Sequence, residues 1–137
     1  MPATERVIID TSAFYALASS TDNFHAEAKV AYERLLDWEY ELWITSYILV
    51  ETSALVHRRL GFEPLRTFME TILSGIVQVL WVEDLIHREA WRQMTERQGS
   101  GLSLVDWTTA VSAQHLKASV FTFDQGFSQE GILIFPR

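Results

Sequence analysis

The sequence predicts a parallel α/β fold, its sheet covered by helices on both faces. Three observations lead there. Short apolar runs recur along the chain (VIID, LWIT, IVQVLWV, SVFTF and ILIF), and the first is β-branched and continuous, as a strand buried on both sides should be. Segments with apolar residues three and four apart, the helical period, separate those runs. The two kinds of segment alternate, which is the pattern of βα units.

In chain order, residues 7–10 form the first strand, and TSAFYALA forms a short helix that Asp10, Thr11 or Ser12 can cap. SSTDN, residues 19–23, is a loop. Phe24, Ala28, Ala31 and Leu35 mark an amphipathic helix to about Trp38. Residues 42–45 are the second strand and 46–60 a helix that Gly61 ends. Pro64 suits the first turn of the next helix, which runs to about Gly75. Residues 76–82 are the third strand. Asp84 can cap a helix to about Arg97 with Ile86, Ala90 and Met94 on one side. The glycine-rich loop QGSGLS precedes a helix over 106–117, and strands over 119–123 and 132–135 close the chain. No repeat, low-complexity tract or linker interrupts the 137 residues, so a single domain over 1–137 is expected.

With 48% hydrophobic and 21% charged residues, the composition is that of a soluble globular protein. The absence of cysteine excludes disulfides, zinc–thiolate sites and thiol nucleophiles, and fits a reducing cytoplasm. No segment approaches the roughly 20 apolar residues of a membrane span, and the N-terminus does not read as a signal peptide. A cytoplasmic protein with no membrane partner is therefore expected. The net charge of −7 argues against a basic nucleic-acid-binding surface.

Four acids change that argument. Asp10, Glu51, Asp106 and Asp124 each lie beside an apolar run or on an apolar helix face, in VIID-TSAF, SYILVE-TSAL, LSLVD-WTTA and VFTFD-QGF. Carboxylates gathered there would repel one another, and a divalent cation is the usual remedy. Removing their −4 from −7 leaves −3, a balance at which bound metal, rather than a basic surface, can recruit phosphate. Each acid also has a plain structural alternative. Asp10 and Asp106 can be helix N-caps, and Asp124 can close an Asx-turn. Glu51 is expected on a buried helix side with Ile48 and Leu55, where an unpaired carboxylate is costly; the alternatives are an ion pair with Arg58 or solvation at the helix edge.

Taken together, IIDTSAFYAL, the Glu51 segment YILVETSALVHRRL, LSLVDWTTAVSAQHL and VFTFDQGF resemble PIN-domain ribonucleases, most of all VapC-type toxins of prokaryotic toxin–antitoxin systems. The likeness runs from about residue 7 to 135 and includes DNFHAEA at 22–28. It implies a three-layer α/β/α sandwich around a parallel five-stranded sheet. It also implies a metal-dependent endoribonuclease cutting single-stranded or structured RNA, with one or two Mg²⁺ or Mn²⁺ ions. Asp10, Glu51, Asp106 and Asp124 match the family's acidic positions, and Ser12 and Thr122 its hydroxyls beside the first and last aspartates. In this reading Asp10 and Asp106 ligate directly, Glu51 and Asp124 directly or through water, and Ser12 and Thr122 support them by hydrogen bonds. An antitoxin partner and a homodimer are implied as well, and the Trp, Phe and Leu residues of 24–43 supply either a dimer face or core.

Other residues are weaker candidates. Arg58 and Arg59 can contact RNA phosphate or form a solvated helix end. Trp107 can stack on a base or pack in the core. His25, His57, His87 and His115 lack metal-ligand spacing and read as surface or structural. Arg88 and Arg92 share a helix face near Glu89 and Glu96. Two other functions remain to be weighed. An aspartyl-nucleophile phosphatase would place a second aspartate where this chain has Ser12. A catalytically silent RNA- or protein-binding module predicts that Asp10→Asn is without effect.

Overall fold

The first predicted strand is the central one. In a computed structural model that describes residues 4–136, β1 (Arg6–Ile9) runs between two neighbours, and Val7, Ile8 and Ile9 are completely buried. Parallel to it lie β2 (Glu41–Thr45), in register Ile8 to Trp43, and β4 (Ser119–Phe121), in register Ile8 to Val120. Outside them, β3 (Val77–Leu80) pairs with β2, and β5 (Ile134–Phe135) with β4. All five strands are parallel, in the order β3-β2-β1-β4-β5. The chain therefore steps to one side of β1 for its first half and to the other side for its second. That reversal opens a crevice at the carboxyl ends of β1 and β4, where ligands of such sheets collect.

Among the described residues seven helices complete the α/β/α arrangement: α1 (Thr11–Ala18), α2 (His25–Asp37), α3 (Ser46–Leu60), α4 (Phe62–Leu73), α5 (Asp84–Glu96), α6 (Leu104–Leu116) and α7 (Gly126–Gln129). Their apolar faces follow the sequence pattern. Ala28, Ala31 and Leu35 of α2 join Phe14, Phe68 and Ile72 against the sheet, and Phe14 meets Phe68 edge to face at 5.1 Å. A second cluster joins α5 to α6 through Ala90, Trp107, Ala110 and Val111. No helix of the described residues is long and apolar enough to cross a membrane.

Several local expectations need correction. Asp106 is not an N-cap: α6 begins at Leu104, Ser103 caps it, and Asp106 sits in its first turn. Nor does Asp84 cap α5; it is the first helical residue and pairs instead with Arg88 at 2.7 Å. The third and fifth strands are shorter than their apolar runs, because Ile76, Trp81, Val82, Ile132 and Leu133 lie outside the ladder. The helix containing Pro64 starts at Phe62, immediately after Gly61, whose φ of 97° ends α3 and allows the chain to turn into α4. The four-residue helix α7 has no apolar period long enough to be read from sequence.

Candidate active site

Asp10 is the best-defined residue of the crevice. Its backbone N–H extends the sheet by donating to the Phe121 carbonyl at 3.0 Å, and its side chain caps α1 by accepting from the Ser12 N–H at 3.1 Å. The other carboxylate oxygen accepts from the hydroxyls of Ser12, at 3.2 Å, and of Thr122. Ser12 also accepts from the Phe123 N–H at 3.0 Å, and Thr122 from the Asp124 N–H at 2.9 Å. The ends of β1 and β4 are thus laced together around one carboxylate. Burial raises the Asp10 pKa from 3.8 to about 6, although the Thr122 and Ser12 hydrogen bonds oppose the rise; the negative charge of Asp106 adds to it.

The other acids reach the same crevice from different elements. Asp106 forms a reciprocal capping box with Ser103: its carboxylate accepts from the Ser103 N–H at 2.9 Å, and its own N–H donates to the Ser103 hydroxyl at 3.1 Å. Burial raises its pKa, the Ser103 hydrogen bonds oppose that, and the charges of Asp124 and Glu51 push it further up. Asp124 is exposed and closes an Asx-turn onto the Gly126 N–H at 2.8 Å. A Cβ on Gly126 would stand 3.1 Å from the Asp124 carboxylate and 2.9 Å from the end of the Leu102 side chain, so a larger residue there would crowd both side chains.

Glu51 departs from expectation. It is exposed rather than buried, although Ile48 on the same side of α3 is buried. It makes no ion pair with Arg58; instead it accepts from the Thr11 hydroxyl at 2.9 Å, and Thr11 in turn accepts from Thr52 at 3.1 Å. The side chain therefore avoids the desolvation cost by lying at the helix edge, held over the start of α1.

A cleft of about 480 Å³ is lined by Asp10, Glu51, Asp106 and Asp124 together. Asp22, Tyr15, Phe24 and Arg59 line it too, and of these only Arg59 was singled out from sequence. Asp22 accepts from the Phe24 N–H at 2.9 Å; the signal for it was an Asx-type residue just before a helix. Arg59 stands over the Tyr15 ring at 5.6 Å, whereas Arg58 is exposed and does not line the cleft. Trp107 is likewise not at the cleft. Only 5% of it is exposed, it packs with Ala90 and Val111, and no face is left for a base. His25 and His87 bond to the Ala16 carbonyl and the Tyr47 hydroxyl, both at 2.7 Å.

These donors are all oxygen, the set a hard divalent cation takes. They do not close a cage: no three acidic or histidine side chains of the described residues converge on one point. Glu51 and Asp124 are held instead by hydrogen bonds to the Thr11 hydroxyl and the Gly126 N–H. One or two carboxylates with water completing the shell fit such spacing, and Mg²⁺ is commonly held that way.

The sequence model of the PIN domain matches residues 7–131. The chain belongs to the PIN-domain family. Among solved structures, this PIN domain is similar to Mycobacterium tuberculosis VapC20, described as a sarcin-ricin loop cleaving toxin. The two are 26% identical, with a TM-score of 0.83, over 93% of this chain and 96% of that one. Two complexes share the fold at 19% identity. VapBC2 from Rickettsia felis, bound to a DNA fragment from its promoter, has a TM-score of 0.71 over 94% and 96%. VapBC-1 from nontypeable Haemophilus influenzae has 0.68 over 94% and 95%. No curated protein sequence matches the chain. The family, the VapC-type likeness and the α/β/α sandwich anticipated from the four acidic segments are thereby established.

Proposed function

We propose that this PIN domain is a metal-dependent endoribonuclease, hydrolysing phosphodiester bonds of RNA, and that it serves as the toxin of a toxin–antitoxin pair. The observation that carries the reading is Asp10: a carboxylate buried at the switch point of the sheet, held by two hydroxyls and a backbone N–H, its pKa pushed up to about 6. A fold that keeps such a group where its charge is penalised has a use for it, and a cation is the simplest compensation.

A bound divalent ion supplies an activated water and positive charge to offset that on the phosphate. The chain's own residues set the geometry. Thr122 and Ser12 fix the Asp10 carboxylate where it lines the cleft, and Ser103 holds Asp106 by the capping box. Thr11 and the Gly126 N–H keep Glu51 and Asp124 at the rim, where each can ligate directly or through water and orient the attacking water. None of these side chains has to become covalently attached to RNA.

VapC20 is described as cleaving the sarcin-ricin loop, so that loop is the first substrate to try. The VapBC complexes that share this fold support an antitoxin partner. Self-association as a homodimer is in keeping with exposed Val50, Trp81 and Leu85 on α3, after β3 and on α5. The site of action for such a nuclease is the cytoplasm.

The test is cleavage of that loop and of mixed single-stranded RNAs by purified protein with Mg²⁺ or Mn²⁺, with EDTA, and by Asp10→Asn. Cutting that vanishes in EDTA and in the variant is the expected result. Cutting that persists in EDTA would overturn the mechanism.

A further inference from the structure

The cleft has an aromatic wall that the hydrolytic residues leave unused. Phe24, at the N-terminal end of α2, is 42% exposed and lines the cleft beside the acids. One face of its ring is stacked on Phe123, with 4.6 Å between centroids and 10° between planes. The surface it presents to solvent is therefore the opposite face and edge.

The backbone of both stacked residues is tied to side chains of the same cleft. Phe123 directly precedes Asp124, and its N–H donates to Ser12, whose hydroxyl also contacts Asp10. The Phe24 N–H donates to Asp22, another acid of the same cleft. The two backbone positions that carry the rings are thus anchored beside the carboxylates. Arg59 lines the cleft as well, its guanidinium over Tyr15, and it forms no ion pair among the described residues although five carboxylates line the same space. A guanidinium parked on a ring rather than on a carboxylate is available to a phosphate.

We infer that Phe24 is the platform on which an unpaired base flanking the scissile phosphate stacks, and that Arg59 receives a neighbouring phosphate; this rests on the RNA-cleaving reading above. An unpaired nucleotide is required because both faces of a duplex base are already covered by its neighbours. Stacking on one aromatic ring corresponds to about a tenfold or larger gain in affinity. Arg59 adds a contribution that weakens as salt rises.

The test measures binding separately from cutting. In an Asp10→Asn background, which leaves RNA intact, a fluorescent single-stranded RNA is titrated with Mg²⁺ present. Phe24→Leu is expected to weaken binding about tenfold and Phe24→Tyr to restore it. An abasic nucleotide at one position should weaken binding by a similar factor in the parent and cost nothing in Phe24→Leu. Arg59→Gln should weaken binding and flatten its salt dependence, and the duplex of the same sequence should bind at least about tenfold more weakly. Thermal melts check that each variant is folded. Undiminished binding by Phe24→Leu, a full abasic penalty in that variant, equal affinity for duplex, or no RNA binding by any protein would each overturn the platform. Phe24-dependent binding without cleavage by the wild-type chain in Mn²⁺ would instead uphold the platform and remove the nuclease.

Discussion

Asp10 and Glu51 border the same cleft, yet the fold treats them in opposite ways. β1 delivers Asp10 into the interior, where three donors hold it and burial raises its pKa. Helix α3 leaves Glu51 at the surface with a single hydroxyl, that of Thr11. The difference teaches that acids matching one family pattern need not share one physical role. The buried carboxyl is preorganised and strained by its own charge. The exposed one stays hydrated and is held by one hydroxyl.

The comparison is broken most directly at Asp10 itself. Asp10→Asn is expected to lower the RNA cleavage rate by about 10²–10³-fold, the scale on which removal of one preorganised charge-stabilising group acts. Glu51→Gln should cost about tenfold or less. Equal losses in single-turnover cleavage would erase the distinction between the two acids.

Without metal, the same distinction should appear as pH-dependent stability. The folded-state pKa of Asp10, about 6, lies above the ordinary 3.8, so folding favours the protonated form. The stabilisation is complete below about 3.8 and is lost as pH rises through 6, an effect of about 3 kcal/mol at about 1.4 kcal/mol per pH unit. In EDTA the Tm of the wild type should therefore fall by several degrees more than that of Asp10→Asn between pH 4.5 and 8. Mn²⁺ should reverse the fall in the wild type alone. Parallel curves for the two proteins would show that Asp10 is not penalised by its burial.

Smaller changes sharpen the role of the hydroxyls. Thr122→Val leaves the Asp10 carboxylate one donor short, and a loss of about 10–100-fold in Mn²⁺ affinity by calorimetry is expected. Thr11→Val, acting on exposed Glu51, should change that affinity only about twofold to threefold, below the range for a buried partner. The smallest effect on chemistry is expected at Trp107→Phe. That ring packs between α5 and α6 and its indole N–H has no partner among the described residues, so the variant should lose about 1–2 kcal/mol of stability and keep the wild-type cleavage rate. A changed rate with an unchanged melt would return Trp107 to the cleft.

Much of this was legible along the chain because it depends on local pattern. The apolar runs marked all five strands, helical periodicity marked α2 and α5, and Gly61, Pro64 and the glycine-rich loop bounded the other long helices. Strand ends were blurred where apolar residues such as Ile76 and Trp81 continue past the ladder, since hydrophobicity does not report hydrogen bonding. The cap of α6 was misplaced for a related reason: Ser103 and Asp106 are both good first-turn residues, and only the backbone path assigns their positions. Glu51 was expected to be buried from its spacing to Ile48 and Leu55, but a small angular offset on α3 is enough to put one side chain in the core and the next in water.

By itself the sequence determined the α/β class, the positions of Asp10, Asp106 and Asp124 at strand ends or a helix start, and the family pattern of the acids, because strand burial, helix period and capping chemistry are properties of neighbouring residues. Only the tertiary structure decided what surrounds each acid. Thr122 reaches Asp10 from 112 positions away, and Phe24 stacks on Phe123, because β4 rather than β2 completes the far side of β1. That strand order reflects how all the helices and loops pack at once. It gives Asp10 its buried donors, while the angular position of Glu51 on α3 leaves that carboxylate in water.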